Sequence, residues 1–338
     1  MWQGKRVFLT GHTGFKGSWL TLMLHRMGAQ VTGFSLPGAV STPNLFDVAR
    51  LADLCTDLRG DVRDGAAVSD AIQAAKPDIV IHMAAQPLVR LGLVDPVATF
   101  DTNVMGTVHV LDAVRRTPVV QAVLIVTSDK CYDNADTGHP HAEGDAMGGR
   151  DPYSASKGAA ELVTAAYIRS YFSTGTPAVT TARAGNVVGG GDWAADRLLP
   201  DLARAAARGD TLSIRAPHAI RPWQDVRDAL GGYIRLIEHM MTTGSSDPAG
   251  WNFAPTGDDL TVAAVVAAFH RVTNGVPTVV FGDDAAHEVA TLRLNASKAH
   301  AVLGWSARDA GSAIADAARW YAAYADSADA RTLMEASL

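Results

Sequence analysis

Cysteine is scarce in this chain. Its 338 residues hold two, Cys55 and Cys131, far apart and with no metal-ligand spacing around them. That excludes a disulfide scaffold and a cysteine zinc site, and suits a reduced, cytoplasmic setting. Long hydrophobic runs are missing too. No apolar stretch reaches the length of a membrane span, and a strand pattern already begins at Arg6, so neither a membrane anchor nor a signal peptide is expected. There is no basic run, and the net charge is −6, so nucleic acid and anionic membrane surfaces are not expected partners. Charged residues make up only 19% against 48% hydrophobic, which excludes a disordered chain and leaves enough apolar material for a large core. The length suits one large domain or two fused lobes.

What is present is an alternation of strands and helices. Arg6 to Thr10 reads as a buried strand ending at glycine, Ser18 to Met27 as a helix stopped by Gly28, and Val31 to Leu36 as a second strand. Asp78 to His82 and Ala122 to Val126 are further strands, with a long helix over Ala98 to Arg116 between them. This order predicts an α/β fold, a Rossmann-type doubly wound parallel sheet. After about residue 185, Gly189-Gly190-Gly191 and several prolines punctuate shorter elements. The expected division is therefore 1–185 for the dinucleotide-binding domain and 186–338 for a smaller, mainly C-terminal α/β lobe, with some of its segments returning to the sheet.

Gly11-His12-Thr13-Gly14-Phe15-Lys16-Gly17 lies at the first strand–helix junction. Its G-x-x-G-x-x-G spacing lets backbone approach a pyrophosphate at a helix N-terminus. Lys16 could contact a phosphate or be solvated. Asp61, after the third strand, could accept from an adenine amino group or be a turn aspartate. The end of the second strand, Gly33 to Gly38, has neither the acid expected of an NAD site nor an arginine for a 2′-phosphate.

Ser128-Asp129-Lys130 stands upstream of Tyr153 and Lys157. Four residues apart on a helix, Tyr153 and Lys157 share a face. The Lys157 ammonium, together with an oxidised nicotinamide, would lower the tyrosine pKa and make it a base for a substrate hydroxyl. Ser128, at a strand C-terminus, could hold that hydroxyl. Asp129 and Lys130 add an acid and a base that a plain dehydrogenase does not need. This suggests oxidation followed by elimination of water.

These strings, with His82 to Arg90, Asn103 to Thr107, Thr127 to Tyr132, Arg183 to Val187, Gly189 to Trp193 and Pro217 to Gln224, resemble the extended short-chain dehydrogenase/reductases that act on nucleotide sugars. Within that family they are similar to the CDP-glucose 4,6-dehydratase subgroup, over nearly the whole chain. The resemblance implies a lyase with NAD as cofactor, NADP being the lesser alternative, and CDP-glucose as substrate. It implies a homodimer or homotetramer built on the helices near 98–116 and 153–171. Ser128, Tyr153 and Lys157 would form the catalytic triad, Asp129 would protonate the departing C6 hydroxyl, and Lys130 would be the C5 base or merely orient its neighbours. Gly11, Thr13, Gly14, Phe15, Lys16, Gly17, Asp61, Val62, Ala84, Ala85, Gln86 and Asn103 would line the cofactor, together with Tyr153 and Lys157. Asn186, Arg197, Arg215, Arg221 and Asn252 would contact the nucleotide diphosphate, Arg221 being best suited to bidentate phosphate binding.

The chain departs from the family at the loop Pro37 to Pro43, which lacks an aspartate frequent in NAD-using relatives, and at Asn295, where many relatives carry aspartate. His139 and His141 form an H-x-H pair with no neighbouring ligand and read as loop residues, so no metal site is expected. Cys131 reads as a packing residue. A nucleotide-sugar epimerase, a dehydratase for another nucleotide sugar and a non-catalytic dinucleotide-binding protein remain the competing readings.

Overall fold

The structure is a computed structural model that describes residues 1–39, 41–255, 259–282 and 291–338. Residue 40 of the Pro37 to Pro43 loop thus lies outside the described residues. Its centre is a seven-stranded sheet made of β1 (Arg6–Thr10), β2 (Gln30–Ser35), β3 (Thr56–Arg59), β4 (Ile79–His82), β5 (Ala122–Val126), β6 (Ala178–Ala184) and β7 (Asp247–Phe253). Their spatial order is β7-β6-β5-β4-β1-β2-β3. Every neighbouring pair is parallel. Such a sheet is buried on both faces, which explains the continuous apolar runs. Val7, Leu9, Ile79, Ile81 and Leu124 pack into a core on one side. Phe8, Val80, Val123 and Ile125 pack into a second core on the other. The alternation is the period-two geometry of strands.

Chain order reverses between β1 and β4, and ligands of open α/β sheets bind at such a switch point, beyond the strand C-termini. The elements that follow those ends build the site. Helix α1 (Phe15–Arg26) follows β1, and it begins three residues earlier than the apolar spacing indicates, because Phe15 and Lys16 already form its first turn. Helix α2 (Val226–Thr243), from the C-terminal half, packs against α1, β5 and β6. β7 carries residues 247–253 back into the sheet beside β6.

The long helix expected over Ala98 to Arg116 is interrupted. It runs as an α-helix over Pro96–Phe100, a π-turn over Asp101–Met105 and an α-helix over Gly106–Arg115. A π-turn widens the helix and re-aims its side chains, and such turns gather at functional sites. Here it carries Asn103, which is buried and turned toward the segment after β4. No helix among the described residues is long and apolar enough to cross a membrane.

Candidate active site

The glycine loop is shaped by contact. Gly11 has φ +76°, and a Cβ there would lie 2.8 Å from the backbone nitrogen of Ala84. A Cβ on Gly17 would fall 2.1 Å from the carbonyl oxygen of Gly11. These two glycines let the loop fold onto itself and onto the segment after β4. Gly14 is different, since its nearest neighbour would be 3.4 Å away, and it caps α1 without a side-chain hydrogen bond. The first N–H groups of α1 are thus left for an anion, which suits a pyrophosphate.

The neighbouring residues are fixed by a polar frame. Thr10 Oγ1 bonds His82 Nδ1 at 2.7 Å and accepts from the amides of Met83 and Ala84. Asn103 Oδ1 accepts from the Gln86 amide at 2.8 Å, and Asn103 Nδ2 donates to the Gln86 carbonyl and to Ser156 Oγ. Val62 is buried and its carbonyl holds His109 Nδ1. Asp61 is engaged by Arg63, whose backbone amide and guanidinium both donate to it. Its carboxylate pKa is lowered, chiefly by that guanidinium.

A carboxylate from the third strand stands beside the second. Gly33 of β2 is paired with Asp57 of β3, and Ser35 with Arg59. His12, fully buried, bridges Ser35 Oγ at 2.9 Å and Asp57 Oδ1 at 2.8 Å. Arg59 donates to Asp57 and to the Leu36 carbonyl. An arginine therefore does stand at the end of β2. Sequence spacing hid both groups, because only strand pairing brings them there.

The catalytic cluster stands at the end of β5. Ser128 caps a short 3₁₀ turn over Asp129–Cys131, accepting from the Lys130 amide. Its hydroxyl donates to Asp129 Oδ1 at 2.9 Å. Asp129 is 2% exposed, and its other oxygen, Oδ2, has no hydrogen-bond partner. Burial raises the Asp129 pKa against the pull of Lys130, Ser128 and Arg221. Tyr153 and Lys157 lie on the helix Pro152–Tyr171, whose start is capped by Asp151. Both are buried, and Lys157 Nζ donates to the Val126 carbonyl at 3.2 Å. Burial pulls the Lys157 ammonium down to about 8.

Tyr153 departs from the sequence argument. Its pKa is pushed up to about 12, because burial outweighs the hydrogen-bonding contact with Ser128 and the charge of Arg197. Lys157 is held by the Val126 carbonyl. The depression expected from Lys157 together with an oxidised nicotinamide concerns the cofactor-bound site.

Lys16 also differs from expectation. Its side chain leaves the glycine loop and donates to Tyr233 Oη on α2 at 2.8 Å, with the ammonium 4.9 Å from the ring centroid. Burial draws its pKa down to about 7, helped by the charges of Lys157 and Arg197 and opposed by Asp129. It points into the catalytic cluster. Tyr233, fully buried, was not singled out by sequence reasoning, since it sits mid-helix among apolar residues.

Beneath the cluster lies a second set that sequence reasoning missed. Arg183 and Glu161 form a buried pair, with Nη2 to Oε2 at 2.7 Å and Nε to Oε1 at 2.9 Å. Thr127 and Thr181 hydroxyls also donate to Glu161, while Arg183 donates to Tyr132 Oη and the Ala249 carbonyl. Cys131 is buried beside this set and burial pushes its thiol up, as befits a packing residue.

The five substrate candidates part ways. Arg221 lines a cleft of about 450 Å³ together with Pro140, Trp223, Leu260, Asp259 and Arg293. None of Ser128, Asp129, Tyr153 and Lys157 lines that cleft, but Arg221 is close enough to act on the Asp129 charge. Arg197 donates to Asp192 at 3.0 Å and lies near Tyr153. Asn186 opens a short strand paired in parallel with Trp223–Asp225. Arg215 is exposed and is not among the cleft residues. Asn252 is fully buried, accepting from Tyr132 Oη and donating to the carbonyls of His141 and Asn295. Its amide is used within the protein, so the structure makes it part of the frame and not a substrate contact.

A dinucleotide cradle at the switch point, with a serine–tyrosine–lysine set and a buried acid beside it, defines a short-chain-type oxidoreductase scaffold. The chain belongs to the GDP-mannose 4,6 dehydratase family, whose model matches residues 8–314. It is 46% identical over 322 residues to a CDP-glucose 4,6-dehydratase from Salmonella typhimurium, covering 91% of this chain and 87% of that one. In fold it resembles a UDP-glucose-4-epimerase from Stenotrophomonas maltophila, with a TM-score of 0.84, 22% identity, and coverage of 96% and 100% of the two chains. It likewise resembles a dTDP-glucose 4,6-dehydratase from Bacillus anthracis, with a TM-score of 0.78, 21% identity, and coverage of 94% and 96%.

Proposed function

We propose that the chain is a nucleotide-sugar 4,6-dehydratase acting on CDP-glucose, with NAD as its bound cofactor. The observation that carries this reading is Asp129, a buried acid with one oxygen on Ser128 and the other unpaired. An unpaired buried carboxyl oxygen costs about 1–3 kcal/mol unless something bonds it. A sugar hydroxyl is the natural partner. Burial keeps the carboxyl protonated toward higher pH, as an acid that must give a proton to a leaving hydroxyl requires. An epimerase needs no such acid. Similarity to the Salmonella typhimurium protein supports the cytidine nucleotide and the glucose.

The residues of the glycine loop, with Ala84, Ala85, Gln86 and Asn103, would hold the dinucleotide. When bound, it supplies the hydride acceptor at C4 and the hydride donor at C6. Tyr153 takes the C4 hydroxyl proton, with Ser128 orienting that hydroxyl and Lys157 holding positive charge nearby. The C4 ketone makes the C5 hydrogen acidic. Lys130 removes the C5 proton, and Asp129 protonates the C6 hydroxyl, which leaves as water. Lys130 would then return its proton to C5, and the proton taken by Tyr153 would balance the one given by Asp129, so the sugar loses one water with no net oxidation. Arg221 and Arg197, with Asn186, face the diphosphate. Residues 1–185 carry the chemistry and most of 186–338 carries the nucleotide sugar. The chain works in the cytoplasm as a homodimer through the helices around 98–116 and 153–171.

A second reading gives the C5 proton to Lys16, favoured by its place against Tyr233 and its lowered pKa near 7. Lys130→Met and Lys16→Met, compared by C5 deuterium exchange, distinguish the two. The function itself is tested by incubating the protein with CDP-, UDP-, dTDP- and GDP-glucose and weighing the products. Loss of one water from CDP-glucose alone is expected, and an isomer of unchanged mass would overturn the reading.

A further inference from the structure

Three ligand atoms meet on one side of the cleft. His139, His141 and Asp145 each offer one donor, all within 4.8 Å of one another, and among the described residues no other such group of three occurs. Local sequence spacing shows only the H-x-H pair. Asp145 arrives through a turn in which its Oδ2 accepts from the Ala142 amide at 3.1 Å. That oxygen lies 2.8 Å from His139 Nε2 and 3.3 Å from His141 Nδ1. Tetrahedral zinc with ligands at 2.0–2.1 Å sets its donors about 3.3 Å apart, close to the two edges that meet at Asp145, while the third edge, between the histidines, is within 4.8 Å.

The two histidines are not alike. His139 is exposed and already hydrogen-bonded to Asp145. The His141 side chain is 8% exposed, and neither ring nitrogen has a hydrogen-bond partner. Its ring stacks on Tyr132, centroids 4.8 Å apart and 6° from parallel. Tyr132 is in turn fixed by Arg183 and Asn252. A buried imidazole held rigidly, with Nδ1 3.3 Å from a carboxylate oxygen and neither nitrogen in a well-formed hydrogen bond, is placed to share a metal ion with that carboxylate.

We infer that His139, His141 and Asp145 form a binding site for a divalent transition-metal ion, with zinc the best-matched, its outer coordination completed by water. Two imidazoles and one carboxylate suit a borderline cation such as zinc and do not suit magnesium or calcium. The ion is a brace, not a catalyst. Pro140, between the two histidines, lines the cleft that holds Arg221 and Arg293. The strand Pro140–His141 pairs in register with Arg293–Leu294. Binding the ion pins that wall from behind. The inference depends on these residues alone and not on the activity proposed above.

The experiment uses the untagged chain, stripped with EDTA and titrated with cobalt(II), whose visible bands report tetrahedral coordination, followed by displacement with zinc. One cobalt per chain is expected, displaced by one equivalent of zinc, with zinc raising the thermal midpoint. His139→Ala and Asp145→Asn, both at the surface, should weaken binding at least about tenfold and abolish the thermal shift. His141→Ala should do the same, with circular dichroism checking that it folds. Absence of saturable binding would show that the three groups merely hydrogen-bond each other. Binding untouched by His139→Ala and Asp145→Asn would place the ion elsewhere. Either result overturns the proposal.

Discussion

The floor of the catalytic cluster and its working face are built on opposite terms. In the floor, Glu161 and Arg183 are buried and every polar atom is answered, by Thr127, Thr181, Tyr132 and the Ala249 carbonyl. A few residues away, Asp129 is just as buried but keeps one oxygen unanswered, and burial alters the ionisation of Tyr153, Lys157 and Lys16. Proteins meet their buried hydrogen-bonding demands almost everywhere. The saturated floor holds position, and the unsaturated face is left for a ligand to complete. The cleft around Arg221 and Arg293 is a third condition, charged and open, suited to binding without chemistry.

That contrast can be broken at each level. Glu161→Gln removes the counter-charge of a buried guanidinium, and stranding one partner of such a pair costs about 3–5 kcal/mol. Denaturant unfolding should show a loss of that size, with little change in substrate preference for the fraction that stays folded. A loss under about 1 kcal/mol would mean the floor is not what holds the site. Tyr153→Phe keeps the ring and removes the hydroxyl proposed to take the substrate proton. Turnover should fall on the order of 100-fold, near 2.7 kcal/mol, with the unfolding midpoint nearly unchanged. Near-full activity would remove Tyr153 from the chemistry. Arg221→Lys keeps the charge but loses the planar fork, so a KM increase of about tenfold with kcat held is expected. A fall in kcat with KM unchanged would move Arg221 from the binding cleft into the reacting cluster.

Strands β1, β2, β4 and β5 were legible from the sequence because they are short, largely apolar and spaced by helices, whereas β3 and β7 carry polar residues that hide them. Ser128, Asp129, Tyr153 and Lys157 were legible as motifs, and pairing and packing bring them to one strand end. Other features required three dimensions. Asp57 and Arg59 reach the end of β2 only through the register of a neighbouring strand. Lys16 reads by position as a phosphate contact or a solvated residue, yet a long flexible side chain on the first turn of α1 can reach across to Tyr233 on α2. The interruption at Asp101–Met105 carries no proline or glycine inside it, so no breaker announced it. Asn252 reads as a polar contact residue, but it lies at the buried C-terminal end of an edge strand and spends its side-chain amide on the carbonyls of His141 and Asn295.

The account rests most heavily on Asp129 as a dedicated acid, and one substitution addresses it. Asp129→Asn is nearly isosteric and should still accept from Ser128, but it has no proton to give the C6 hydroxyl. With CDP-glucose in deuterated water, mass analysis should show deuterium entering C5 while loss of water falls on the order of 100-fold. If exchange at C5 and loss of water slow together and equally, Asp129 serves the whole site, and its unpaired oxygen is not the acid of the elimination.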